Sequence, residues 1–268
     1  MNGVKRILTS VIGLPIVIIA LILSNKYVID VVVAIVAMMA LYEYYHAITL
    51  KYQPIQWLGY ATALSLCFIH LVTMDNLIKI IVLAIPSMVA ILFIQLIWKD
   101  TKMSVADIAL TLFSICYIVL FLMFFSLTYG SENGKFFIWY IIIIAWGTDI
   151  FAYLVGKTMG KHKFSKISPN KSLEGCLGGL IEAVILAMLY TYCINKLAGL
   201  QISYIYILNV SLLLSIIGQF GDFAASSIKR HVGIKDFSEI IPGHGGILDR
   251  MDSLIFIAPF AYMLLILL

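Results

Sequence analysis

Residues 226–252 read SSIKRHVGIKDFSEIIPGHGGILDRMD. The stretch is polar, charged and glycine-rich, and apolar runs flank it on both sides. It sets Lys229, Arg230, Lys235 and Arg250 beside Asp236, Glu239, Asp249 and Asp252. Carboxylates take hard cations such as Mg2+, and Lys or Arg neutralises phosphoryl oxygens. An ordinary loop on the positive side of a membrane accounts for the bases. It does not account for Pro242-Gly243-His244-Gly245-Gly246, nor for two aspartates three residues apart at the start of an apolar helix.

The rest of the chain decides the fold class. Of 268 residues, 62% are apolar and 12% charged, whereas soluble chains carry about 25% charge. Mean hydropathy is +1.04. Nine runs are long enough to be candidate spans, at about 7–24, 28–48, 55–74, 79–98, 105–128, 136–155, 176–195, 203–225 and 252–268. The expected fold is an all-α polytopic integral membrane protein. The last run is short, so it must begin near Asp249 or lie in a thinned bilayer. The first run resembles a signal peptide, but no small-residue cleavage site follows, so it reads as a retained helix. Cys67, Cys116, Cys176 and Cys193 are scattered in or beside apolar runs and make neither a disulfide frame nor a zinc site. No interleaving of basic and aromatic residues points to nucleic acid.

Orientation follows from the bases. With the N-terminus in the cytoplasm, the inner segments hold Lys5, Arg6, Lys51, Lys99, Lys102, five lysines from 157 to 171, and Lys229, Arg230, Lys235 and Arg250. These are fourteen of the 18 Lys and Arg, a strong positive-inside signal. Loops 156–175 and 226–251 then face the cytoplasm. Residues 1–130 read as scaffold helices and 131–268 as the catalytic helices with those two loops.

Three further patterns carry chemistry. Ser211, Ser215, Gln219, Asp222, Ser226 and Lys229 are spaced by 4, 4, 3, 4 and 3, which puts them on one helix face. A polar stripe facing lipid is costly, so this one should face the bundle interior or a water-filled cavity. Asp149 ends Trp146-Gly147-Thr148-Asp149 near the same surface. Lys171 and Ser172 stand just before a span, where backbone N–H groups can meet an anion. Gly156-Lys157-Thr158 resembles the tail of a P-loop, but Phe151 stands where glycine is needed and no strand precedes it. Glu182 shares a face with Gly175, Gly178 and Gly179 and reads as structural. Glycines 243, 245 and 246 let backbone N–H groups approach a ligand. Asp249 and Asp252, with Asp222, could hold one or two divalent cations.

Taken together, these residues resemble the CDP-diacylglycerol synthase (phosphatidate cytidylyltransferase) family. Ser226, Lys229, Arg230, Lys235, Asp236, Ser238, Pro242, Gly243, His244, Gly245, Gly246, Asp249, Arg250 and Asp252 fall at the family signature's positions. The likeness extends to Asp149, Ala152-Tyr153, Gly156, Gly160, Ser168-Pro169, Lys171, Glu174-Gly175 and Asp222. It covers the C-terminal half clearly and the first half only as hydrophobic spans. Ser172 stands where members commonly carry threonine, which keeps the hydroxyl.

The resemblance implies a nucleotidyltransferase that joins CMP from CTP to phosphatidic acid, with Mg2+, giving CDP-diacylglycerol and pyrophosphate. One substrate is anchored among membrane lipids and the other dissolves in the cytosol. The site is therefore expected at the cytoplasmic face of the inner (plasma) membrane. Asp222 and Asp249 are the leading metal ligands, with Asp252 and Asp149 behind them. Lys229, Arg230, Lys235, Lys171 and Arg250 answer to the phosphates, and Asp236 joins the catalytic set. Ser226 and Ser172 donate to phosphate oxygens. His244, with Gly243, Gly245 and Gly246, shapes the nucleotide pocket. A second cation and a homodimer are left open. The rival readings are a CTP-using polyprenol kinase and an organophosphate transporter. Polar residues clustered at one membrane face count against transport.

Overall fold

In the computed structural model, the described residues are 15, 17–98, 103–163, 167–169, 171–240 and 245–267. Among them are seven helices long and apolar enough to cross a membrane, and no named strand; two residues, Lys163 and Ser172, form an isolated antiparallel bridge. The protein is an all-α polytopic membrane protein. Half of the expected first span, residues 7–14 and 16, lies outside the described residues, although 17–23 are helical. The run 55–74 differs from expectation. It is a ten-residue α-helix, Gln56–Ser65, followed by a six-residue 3-10 helix, Leu66–Leu71. The tighter turn brings the backbone N–H of His70 to the buried Asp30 carboxylate, so a polar contact displaces the regular helix there. The chain forms two compact units.

The first unit comprises residues up to Leu127 together with Asp236–Leu248. Its helices are α1 (Lys26–Ile48), α2 (Gln56–Ser65), α3 (Met74–Trp98) and most of α4 (Val105–Gly130). Lipid tails are as apolar as leucine, so helices in a bilayer associate through close packing and hydrogen bonds between them. The buried face of α1 is accordingly rich in small residues, with Ala34, Ala37 and Ala40 fully buried. Its opposite face exposes Val31, Val32 and Ile35. Gly59 in α2 leaves room for Tyr45, since an added Cβ would stand 2.1 Å from the phenol oxygen. Tyr45 Oη in turn meets Ser114 Oγ at 2.8 Å. Ser104 and Asp107 form a capping box at the start of α4, satisfying orphan N–H groups reciprocally. Asp107 also accepts from the backbone N–H of Gln53 at 2.6 Å. Asp30 accepts from His70 Nδ1 at 2.7 Å and from Ser126 Oγ, which satisfies a carboxylate that is 0% exposed.

The second unit comprises Thr128–Lys235 and Asp249–Leu268. Its helices are α5 (Gly134–Met159), α6 (Leu173–Ala198), α7 (Tyr204–Val232) and nearly all of α8, which runs from Leu248 to Leu267. The last helix does begin beside Asp249, as its short apolar run requires. Helices α5 and α6 approach closely where α6 begins. A Cβ on Gly175 would lie 2.5 Å from the Ala152 carbonyl oxygen. A Cβ on Gly179 would lie 2.8 Å from that of Thr148. Ser172 caps α6, its Oγ accepting from the Gly175 N–H at 3.1 Å. Glu174 in the first turn accepts from His162 Nδ1 and from the backbone N–H groups of Lys161 and His162. A carboxylate in that position also complements the helix dipole. Helix α7 ends at Gly233, whose φ of +86° is left-handed, a conformation glycine adopts without strain.

Candidate active site

The polar stripe on α7 is turned inward within the second unit. Ser211 and Ser215 are fully buried, and Gln219, Ser226 and Lys229 nearly so. Because α7 continues to Val232, the stripe is one unbroken helix face from Ser211 to Lys229. It ties three helices together. Ser215 Oγ meets Thr148 Oγ1 of α5 at 2.8 Å, and Gln219 Nε2 donates to the Cys176 carbonyl of α6 at 3.2 Å. The interior surroundings satisfy a row of polar groups that lipid would penalise.

Towards the end of the stripe the contacts become ionic. Lys171, just before α6, pairs with Asp222 Oδ2. Its ammonium also stands 4.2 Å from the centre of the Phe223 ring, a cation–π contact. Ser226 Oγ lies one turn on from Asp222 and donates to its Oδ1 at 3.4 Å. Lys229 donates to Asp249 Oδ1 at 2.5 Å. Asp149 accepts from Ser253 Oγ at 3.2 Å, joining α5 to α8. Asp252, 5% exposed, accepts the N–H of Ser253 at 2.8 Å. Asp222 lies near enough to both Asp149 and Asp252 for their charges to act on one another. Lys171 and Arg250 act on Asp149, and Lys229 acts on Asp252.

Four aspartates and three bases therefore share one end of this unit. Three like charges in proximity favour an added cation, while the bases favour added anions. The donors are all carboxylate oxygens, the chemistry a hard divalent cation prefers. Among the described residues no three such side chains already form a metal shell. Asp222 and Asp249 are each engaged by a lysine instead. The donor set thus fits Mg2+ by type, with lysine ammonium groups beside the oxygens that a metal would use.

The other expected residues distribute as follows. Arg230 donates from Nη1 to the Ile234 carbonyl at 2.9 Å and from Nε to the Ile167 carbonyl at 3.4 Å, which orders the end of α7. Lys235 and Asp236 are exposed. Ser172 is buried and serves as a helix cap. Pro242, Gly243 and His244 lie outside the described residues. Gly245, with φ +84°, and Gly246 belong to the first unit. Glu182 packs on Gly147, where an added Cβ would lie 2.5 Å from Oε1, and neither of its oxygens has a hydrogen-bond partner.

One residue escaped the sequence reading. Glu43 of α1 is completely buried in the first unit and accepts from Ser238 Oγ and from the N–H groups of Ile247 and Leu248. The signal was present, because a glutamate within an apolar run is a site candidate in its own right.

A model of the cytidylyltransferase family matches residues 4–268. The chain belongs to the cytidylyltransferase family. It is 39% identical over 267 residues to the phosphatidate cytidylyltransferase of Staphylococcus aureus (strain COL), covering 97% of this chain and 98% of the relative. The protein of that name from Bacillus subtilis (strain 168) is 47% identical over 136 residues, 50% of this chain and 49% of the relative. That of Staphylococcus epidermidis is 34% identical over 265 residues, 97% of this chain and 98% of the relative. This cytidylyltransferase is accordingly a nucleotidyltransferase enzyme embedded in a membrane, and its likeness to the family runs through the first half as well as the second.

Proposed function

We propose that the enzyme transfers CMP from CTP to phosphatidate, releasing pyrophosphate and leaving CDP-diacylglycerol in the bilayer, at the cytoplasmic face of the plasma membrane. The observation that carries this reading is the ionic cluster of Asp149, Asp222, Asp249 and Asp252 with Lys171, Lys229 and Arg250 at one end of apolar helices. The names of relatives aligned over nearly the whole chain support the same substrates. The excess of Lys and Arg in the loops at that end supports the cytoplasmic face.

Phosphatidate carries its own nucleophile. An oxygen of its phosphate forms a bond to the α-phosphorus of CTP, and the bond from that phosphorus to the bridging oxygen of pyrophosphate breaks. No covalent enzyme intermediate and no strong general base are required. The barrier lies in bringing two anions together in line, so positioning and charge neutralisation supply most of the catalysis. Lys171 and Lys229 are suited to this task because their partners hold them in place before substrate arrives. Phosphate oxygens then replace or share those carboxylates, and the freed Asp222 and Asp249 oxygens become available to a cation. Asp222, with Asp149, Asp252 or Asp249, would hold Mg2+, which would supply charge neutralisation on the triphosphate. Arg250, close to Asp149, adds a third cation.

The test is purified protein in detergent with Mg2+, phosphatidate and CTP labelled at either the α- or the γ-phosphate. Label from the α position alone should enter the lipid, with pyrophosphate released in equal amount. Lipid labelled only from the γ position identifies a kinase, and absence of transfer from either overturns the reading.

A further inference from the structure

Residues on both sides of the glycine-rich signature are gripped from α1. Within the first unit, Glu43 Oε1 accepts from Ser238 Oγ at 2.6 Å and from the Ile247 N–H at 2.8 Å, and Oε2 accepts from the Leu248 N–H at 2.8 Å. Ser238 precedes the Pro-Gly-His-Gly-Gly run and Ile247 follows it. One carboxylate therefore clasps both flanks of that run. Leu248 is also the first residue of α8, so Glu43 caps this helix from a different helix, satisfying backbone N–H groups that a helix start leaves without partners. A carboxylate there also suits the positive end of the helix dipole.

Gly246 fits the same clasp. A Cβ at this position would stand 2.4 Å from Glu43 Oε2, so the carboxylate would have to shift off its donors to admit it. Gly245 supplies the left-handed turn, φ +84°, that leads into it. Two of the signature's glycines thus have a local cause in this structure: one gives the turn and the other gives room for the carboxylate.

We infer that Glu43 is a positioning residue for the reaction, holding Ser238 and the start of α8 so that Asp249 and Asp252 emerge in a fixed register. Asp249 follows Leu248 directly in the chain, and Asp252 comes one turn later. A side chain 0% exposed, with both oxygens committed to protein donors, does not touch substrate, and it acts through the backbone it holds. The inference rests on the proposed reaction only for its activity readout.

The experiment compares wild type with Glu43→Gln, Gly246→Ala, and the pair Glu43→Asp and Glu43→Asp/Gly246→Ala, all purified in detergent and checked by size exclusion. Glutamine keeps the size but puts an amide NH2 against donors. In folded Glu43→Gln, kcat should fall about 10- to 100-fold, as for residues that orient metal ligands, with a higher Mg2+ concentration needed for half-maximal rate. Hydrogen exchange at the Ile247 and Leu248 amides should accelerate while that of α5 and α6 stays unchanged. Gly246→Ala should be similarly impaired. The shorter Glu43→Asp should restore part of its activity, because it vacates the space the methyl group needs. Wild-type exchange rates at Ile247 and Leu248 in a folded Glu43→Gln protein overturn the inference even if the wild type proves to catalyse another reaction. So does an unchanged kcat and Mg2+ dependence in an enzyme whose wild type is active. A Glu43→Asp/Gly246→Ala enzyme no better than Gly246→Ala also counts against the clasp.

Discussion

Lys229 and Asp249, twenty residues apart, meet at 2.5 Å with side chains only 10% and 3% exposed. The pair joins the end of α7 to the start of α8. Breaking a buried pair from one side costs about 3–5 kcal/mol, because the other charge is left uncompensated. Lys229→Ala and Asp249→Asn should therefore each lower the midpoint of thermal unfolding in detergent. The double variant should regain much of that stability and none of the turnover. Recovery of turnover along with stability would show that the pair serves only to hold the helices.

Lys171 is placed differently. Its side chain is 20% exposed, it pairs with Asp222, and it rests on the Phe223 ring. Its pair is more exposed than that of Lys229 and Asp249, so water screens it more and its structural value is smaller. Lys171→Ala should leave thermal stability nearly unchanged while raising KM for CTP or phosphatidate by about tenfold, which corresponds to ~1.4 kcal/mol of binding. Steady-state kinetics with each substrate varied in turn checks this, and an unaltered KM for both removes Lys171 from substrate contact.

Asp149, Asp222 and Asp252 act on one another electrostatically. Chelation should abolish turnover, and Mg2+ should restore it. Asp222→Asn should shift the Mg2+ dependence to higher concentration or eliminate rate altogether. Asp149→Asn and Asp252→Asn should give the same kind of shift. Glu182→Gln should not, because Glu182 is not among the charges that act on Asp149 or Asp252. A Mg2+ titration of each variant separates the two groups.

The approach of α5 to α6 should resist added volume. Gly175→Val would drive a side chain towards the Ala152 carbonyl, where even a Cβ stands at 2.5 Å. Overpacking of this kind costs about 1–3 kcal/mol. The expected result is a lower unfolding midpoint, with loss of activity following loss of folded protein. Thermal unfolding monitored by size exclusion measures it.

The helical membrane architecture was legible because apolar runs of span length leave few alternatives. The α7 stripe was legible because spacings of three and four residues place Ser211 to Lys229 on one face whatever the partners are. Asp249 was nameable from the signature, and Lys171 and Asp222 from the wider likeness, but not their pairing. Which lysine meets which aspartate depends on helix rotation and on the length of the 233–247 connection. The break in 55–74 was hidden, since a 3-10 turn in an apolar run has the composition of an α-helix, and its cause is an aspartate 40 residues earlier. Glu43 was overlooked for a related reason. Its donors are backbone N–H groups 204 and 205 residues away, and backbone groups leave no mark in a sequence.

That separation bears on how the protein is made. A chain emerging from the ribosome commits α1 to the bilayer long before residues 238–248 have been translated. Until they arrive, the Glu43 carboxylate has none of its final donors and sits in an apolar helix, where an unsatisfied charge is costly. Completion of the first unit is therefore tied to synthesis of residues 236–248. A nascent protein halted before that point carries a carboxylate without the donors that the finished one has.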